Sequence, residues 1–182
     1  MNLAFYYHIP ITKKGDVFYC PGFLGVFLDS IALEVDKLIL IMHESESEEG
    51  SSYELKQKNI SFVSLGEKKP AWSRMLFHKS ILKYKLNSIK DCDVVLVRSP
   101  SPLAPYFKRY LKNIKLVYLV VGDYEEGGKL IKMSSPRDLV VKLFMMFNNY
   151  LFLNQLKKNH TIVNSRILFK KYLKICKNIN IV

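Results

Sequence analysis

The sequence predicts an α/β fold built on a doubly wound, mainly parallel sheet. Three observations carry that expectation. Short apolar runs recur along the chain, and two central ones, DVVLV at 93–97 and KLVYLVV at 115–121, do not alternate between apolar and polar residues. Continuous runs of this length suit strands buried on both faces, as in a parallel sheet. Segments with apolar residues at three- and four-residue spacing separate the runs, so strand and helix alternate about six times. Each central run also ends in turn-forming residues, Arg98-Ser99-Pro100 after the first and Gly122-Asp123 after the second. Ligands of open α/β sheets bind beyond the carboxyl ends of the strands. Arg98, Ser99, Asp123, Glu125 and Glu126 therefore fall where chemistry is expected.

Taken in order, Leu3 to Tyr7 reads as the first strand, with His8 at its carboxyl end. IPITKKGDVFYCPG reads as a long loop broken by Gly15, Pro21 and Gly22. GFLGVFLDSIALEVDK is the first helix, with Phe23, Val26, Phe27, Ile31 and Val35 on one face. Leu38 to His43 is a second buried strand, and ESESEEG a solvated acidic loop. YELKQKN reads as a short helix and ISFVSL as a third strand. Trp72 to Ile89 is a basic amphipathic helix with Leu76, Ile81, Leu82 and Leu86 on its apolar side.

Between the central strands, PLAPYFKRYLKN places Leu103, Phe107, Tyr110 and Leu111 on one helical face and Lys108, Arg109 and Lys112 on the other. GDYEEGGKLIKMSS is a glycine-containing loop, too polar for a core. Ser135-Pro136-Arg137-Asp138 marks a helix start: Ser at the cap, Pro in the first turn, an acid three residues on. The segment that follows, Leu139 to Leu156, is the most apolar helix of the chain. HTIVNS is a sixth strand, RILFKKYLKIC a basic helix, and NINIV begins a last strand.

The chain has 182 residues, which predicts one domain with a real core. Lys and Arg number 28 against 16 Asp and Glu, a formal charge of +12. Such a surface attracts polyanions: nucleic acid, anionic headgroups, phosphorylated ligands. Cys20, Cys92 and Cys176 are far apart, form no Cys-x-x-Cys and have no metal-ligand spacing with the four histidines. They read as free thiols of a reducing compartment, which predicts a cytoplasmic protein and no metal. MNLAFYYHIP lacks the basic region and small-residue cleavage site of a signal peptide.

Several residue types invite a chemical reading. Gly22 and Gly25 open the first helix without forming the G-x-G-x-x-G fingerprint. Glycines there either let backbone N–H groups approach a phosphate or simply make a tight turn. Arg98 either forks onto a phosphate or carboxylate or pairs with Asp93 or Asp123. Asp123, Glu125 and Glu126 either act as a base or bind sugar hydroxyls, or they form a solvated acidic loop. His8 and His43 both end strands and are each a site residue or a structural one. The 139–156 helix packs inside the protein, against a partner domain, or in a membrane interface with Lys157-Lys158 and Lys170-Lys171 beside it.

The order of these motifs resembles the N-terminal half of a GT-B glycosyltransferase, most closely the bacterial family 4 enzymes that build polysaccharides. GFLGVFLDSIALEVDKLILIMHE resembles that family's first helix and second strand, DVVLVRSPSPLAP and KLVYLVVGDYEE its fourth and fifth strands, and HTIVNS the strand that closes this half. The resemblance implies a single Rossmann-like domain over 1–182. Its donor-binding partner, a C-terminal domain or separate subunit holding a paired-glutamate motif, is not part of the chain.

It also implies a nucleotide sugar as substrate with no further cofactor, and a glycan or lipid-linked acceptor. Gly22, Gly25, Arg98, Ser99, Glu125, Glu126 and His8 would meet donor or substrate, Asp123 would be catalytic, and the isolated chain would transfer little sugar. Attachment at the inner face of an anionic membrane follows from the lipid-linked acceptor. Gly122 departs from the pattern, standing where many members have His. Two other functions compete: a stand-alone Rossmann-like module for a small phosphorylated ligand, and a basic nucleic-acid-binding protein. No RNP, KH or helix-turn-helix pattern supports the latter.

Overall fold

The structure is a computed structural model that describes residues 1–47, 50–129, 131 and 134–182. It is an α/β fold with a seven-stranded, mostly parallel sheet and a second, three-stranded antiparallel sheet. In chain order the elements are β1 (Asn2–Tyr6), β2 (Thr12–Lys14), β3 (Val17–Cys20), α1 (Gly22–Leu33), β4 (Lys37–Glu44), β5 (Tyr53–Glu54), β6 (Ile60–Glu67) and α2 (Ala71–Leu86). They continue with β7 (Val94–Ser99), α3 (Phe107–Tyr110), β8 (Lys115–Val120), α4 (Tyr124–Lys129), α5 (Pro136–Leu156), β9 (His160–Val163), α6 (Arg166–Tyr172) and β10 (Ile179–Ile181). The predicted parallel sheet is thus present with its six expected strands and the last one. Every register given, β1 with β4, β4 with β6, β8 with β9 and β9 with β10, is parallel.

The chain forms two compact units, Met1–Leu96 with Asn113–Lys115, and Val97–Lys112 with Leu116–Val182. The first is built on β1, β4 and β6. The core residues of β4, Leu38 to Met42, are buried at nearly every position, as a strand covered on both faces requires. Leu3, Phe5 and Tyr7 pack with Leu24, Leu28, Leu38 and Leu40 in one apolar cluster.

The buried face of α1 is Leu24, Leu28 and Ala32 with Gly25 and Asp29. That corrects the predicted face, because Phe23 and Val26 are more than half exposed and only Phe27, Ile31 and Val35 reach the cluster. The error has a physical origin. Asp29 is 6% exposed, yet its carboxylate is satisfied by the Tyr53 hydroxyl at 2.9 Å and the backbone N–H groups of Lys56 and Gln57 at 3.1 and 3.3 Å. A carboxylate so paired can sit on an inner face.

The same bonds explain why YELKQKN is not the predicted helix. Tyr53 and Glu54 pair with Cys20 and Tyr19 of β3, and the next N–H groups go to Asp29 rather than to an earlier carbonyl. The predicted long loop is corrected as well. β2 and β3 form a hairpin in which Lys14 faces Val17 across Gly15-Asp16, and Gly15 has φ 57°, a left-handed conformation open to glycine. α1 ends with its Ala32 and Val35 carbonyls accepting from Asn59 Nδ2 at 2.7 and 2.9 Å.

The second unit is organised by β8, β9 and β10. Leu103, Phe107 and Leu111 are buried as predicted, but their helix is only a 3-10 turn at Ala104–Tyr106 followed by α3. Tyr118 lies in this core, donating to the Ala104 carbonyl at 3.0 Å and meeting Phe152 edge-on at 5.8 Å. The segment predicted as a polar loop contains α4, whose start is capped by Asp123: its Oδ1 accepts from Glu125 N at 2.7 Å. Leu130, Lys132 and Met133 of that predicted loop lie outside the described residues. α5 starts where expected, with Ser135 Oγ accepting from Asp138 N and Asp138 Oδ2 from Ser134 N. Only Asn148, Phe152 and Leu156 of α5 are buried, while Leu139, Val140, Leu143, Met146, Phe147 and Tyr150 form an exposed stripe.

Candidate functional site

In the first unit, His8 stands two residues past β1, half-buried, its ring edge-on to Tyr7 at 4.5 Å. α1 opens with Pro21 at the cap position and no side-chain cap; the Pro21 carbonyl accepts from Leu24 N and Gly25 N, each at 2.9 Å. The Gly25 N–H is therefore used within the helix, and the first-turn donor that faces open space is that of Gly22. The two glycines differ further. A Cβ on Gly22 would meet nothing within 4 Å, whereas one on Gly25 would sit 2.1 Å from Cδ1 of Tyr53. Gly22 offers the open backbone that a phosphate would need, and Gly25 makes room for an aromatic ring.

In the second unit, Arg98 is half-buried and lies within β7, one residue before its end, rather than beyond the strand. Ser99 is fully buried; its hydroxyl faces the Val97 carbonyl at 3.4 Å, and its own carbonyl accepts from Val121 N at 2.9 Å. Of Arg98's two expected carboxylates, Asp93 accepts from Asn2 N at 2.6 Å and Asp123 is paired with Lys171.

Asp123 is the hub of a charged network. Its side chain is 4% exposed, and its Oδ2 lies 2.5 Å from Lys171 Nζ. Lys171 also reaches Glu125 Oε2 at 2.5 Å, and Lys129 bridges Glu125 and Glu126 at 3.4 and 3.1 Å. Tyr172, 1% exposed, has its hydroxyl pKa pushed up, first by burial and then by the Asp123 charge that its O–H meets. Glu125 is held below the ordinary carboxylate range, chiefly by Lys171. The acidic residues are thus brought together as expected, with Asp123 inside the protein rather than on a solvated loop. Beside them, a cavity of about 220 Å³ opens between α4 and α5, lined by Tyr124, Met145 and Met146 with Glu125, Lys129 and Lys142 at hand.

One cluster escapes the sequence reading. The inner face of α2 is Arg74, His78, Leu82 and Leu86, a strict four-residue spacing. The predicted face holds Leu82 and Leu86 correctly but adds Leu76 and Ile81, which are 52% and 37% exposed. His43 is fully buried on β4, its Nδ1 3.3 Å from the Gly66 carbonyl and its ring edge-on to His78 at 5.4 Å. Burial, then the Arg74 charge, lowers the His43 pKa to about 4; burial also lowers that of His78. The signal available in the sequence is the four-residue spacing of Arg74, His78 and Leu82, which is hard to read as an inner face because arginine is seldom buried. Among the described residues no group of His, Cys, Asp and Glu could hold a metal ion, and the three cysteines are free and buried.

No family model matches the chain. No curated protein matches it either. Among solved structures it is similar to Arabidopsis thaliana UGT89C1 complexed with UDP, a UDP-glycosyltransferase, with a TM-score of 0.55 at 10% identity. The fold is GT-B-like. The match covers all of this chain and 51% of the other, so the chain spans about half the length of that glycosyltransferase. At this identity the likeness is one of fold. The GT-B-like architecture puts His8, the start of α1, Arg98 and Asp123 at or next to the carboxyl ends of strands, each within its own unit.

Proposed function

We propose that this chain is the acceptor-binding half of a nucleotide-sugar glycosyltransferase, of the family 4 kind that builds surface polysaccharides. The observation that carries the proposal is the fold match over the entire chain to half of a UDP-bound glycosyltransferase. In this reading, the Gly22 N–H at the start of α1, a helix with no side-chain cap, meets the donor's phosphates. His8, Arg98, Glu125 and Glu126 contact substrate, and Ser99 shapes the strand end that presents Arg98. Asp123, occupied by Lys171 and Glu125 N, serves the site by holding α4 and α6 in place as well as by its charge. The apolar cavity between α4 and α5 takes the apolar portion of a lipid-linked acceptor, and the exposed stripe of α5 rests on an anionic bilayer.

The donor's nucleotide belongs mainly to a second Rossmann-like half, a downstream domain or partner subunit. Sugar transfer needs donor and acceptor in near-attack geometry, which takes both halves. The test is direct. Residues 1–182 alone should bind UDP-sugar weakly and turn it over negligibly, and adding the second half should produce transfer. Robust transfer by residues 1–182 alone overturns the proposal. So does a gene neighbourhood with no second Rossmann-like half bearing a paired-glutamate motif, whether in frame or adjacent.

A further inference from the structure

The His43–Arg74–His78 cluster has no place in that reading, and its chemistry is specific. It lies where β4 and β6 end and α2 begins. Gly66–Pro70, exposed at every residue, ends β6 and leads into α2, and it brings two carbonyls to the imidazoles: Gly66 O to His43 and Glu67 O to His78. The charged surroundings are cationic. His43 feels Arg74, His78 and Lys68; His78 feels Arg74 and Lys69; Lys68 feels Arg74. Among the described residues, no carboxylate enters the surroundings of His43, His78 or Lys68. Glu67 is tied to Lys69 and 70% exposed, and Glu44, next to His43 on β4, is exposed.

The tautomer follows from the hydrogen bond. A carbonyl only accepts, so the Gly66 contact fixes the proton of neutral His43 on Nδ1. That leaves Nε2 a lone pair, and it is buried with no hydrogen-bond partner. Arg74, 5% exposed and one helical turn before His78, puts its charge near the same imidazole. A ligand suited to both must offer anionic oxygens to the guanidinium and an O–H to the imidazole. Carboxylates and sulfate at neutral pH supply only the first. The monoanion of a phosphate monoester, whose second pKa of about 6 keeps it accessible near neutral pH, supplies both in one group.

We propose that the carboxyl ends of β4 and β6 and the first turns of α2 form a site for a phosphate monoester, with His43 and Arg74 as its ligands and His78 beside them. The ester carries its proton to Nε2 of His43, while its charged oxygens accept from Arg74. This site is independent of glycosyl transfer, because its test contains no sugar donor.

The imidazole signals of residues 1–182, followed by NMR, are titrated with inorganic phosphate and separately with sulfate. Phosphate should move the His43 ring resonances and bind roughly tenfold tighter than sulfate, the cost of leaving a buried acceptor unpaired. The preference should fade as pH rises past the second pKa of the phosphate, where the proton offered to Nε2 is lost. Arg74→Lys, which keeps the charge and loses the fork, should weaken phosphate binding. If that variant does not fold, the wild-type comparison of the two anions decides alone. Phosphatidic acid vesicles, set against phosphatidylglycerol ones, tell a lipid monoester from a soluble one. His43 signals unmoved by phosphate, or moved equally by sulfate, overturn the site.

Discussion

His43 makes the clearest prediction for a single residue. Its folded pKa of about 4 lies below the ordinary value of 6.5, so the unfolded chain binds the proton more readily than the native one. Stability is therefore complete above the unfolded value and falls as pH drops from about 6.5 towards 4. The loss should approach about 3 kcal/mol, seen as a falling urea midpoint in phosphate-free buffer. His43→Gln should flatten that part of the profile, and an unchanged slope would mean another group titrates there. Lys171 makes the second. Its ammonium balances a carboxylate that is 4% exposed, and removing one partner of a buried pair is costly. Lys171→Met should destabilise by about 2 kcal/mol, below the full cost because Lys171 itself is 30% exposed. Asp123→Asn should cost less, since the amide still accepts at the cap of α4.

Among the elements, α5 is the most informative. Its start was readable because capping is local chemistry: Ser135 and Asp138 exchange bonds across three residues. Ser135→Ala should lower stability by about 1 kcal/mol, measured by thermal unfolding, without shortening the rest of the helix. The strands were equally legible, since each buried run is contiguous in sequence. What the sequence hid was decided by partners far along the chain. β5 exists because Cys20 and Tyr19 offer an edge, and 53–57 cannot coil because Asp29 takes its N–H groups. The faces of α1 and α2 were misread for the same reason: Asp29 and Arg74 look exposed until their burial is seen. Two signals were local and could have been used: Gly15-Asp16 as a two-residue hairpin turn and the Asp123–Glu126 spacing as a helix start.

At the scale of the molecule, charge and apolar surface combine. A formal +12 accompanies the exposed stripe of α5, and among the described residues no helix is long and apolar enough to cross a membrane. Each basic residue near an anionic surface contributes about 1 kcal/mol, screened by salt. The chain should co-sediment with anionic vesicles far more than with neutral ones, and raised salt should release most of it. Lys157, Lys158 and Lys170 are exposed and can be changed to Ser together as the test. Lys171 was a natural fourth choice from sequence, but its network with Asp123 and Glu125 removes it. Binding indifferent to lipid charge would leave the stripe to a protein partner.

The contact between Gly25 and Tyr53 bears on how mutants of this chain would be interpreted. Any screen for donor contacts would include Gly25→Ala, and it should score as inactive. The new methyl would collide with a ring 2.1 Å away, at a cost of about 1–3 kcal/mol, so the defect would be one of abundance rather than chemistry. Second-site suppression tells these apart. Tyr53→Ala clears the space, and although it gives up the hydroxyl's bond to Asp29, the double variant should recover soluble yield over Gly25→Ala alone. A lost phosphate contact would not be restored by trimming a neighbour.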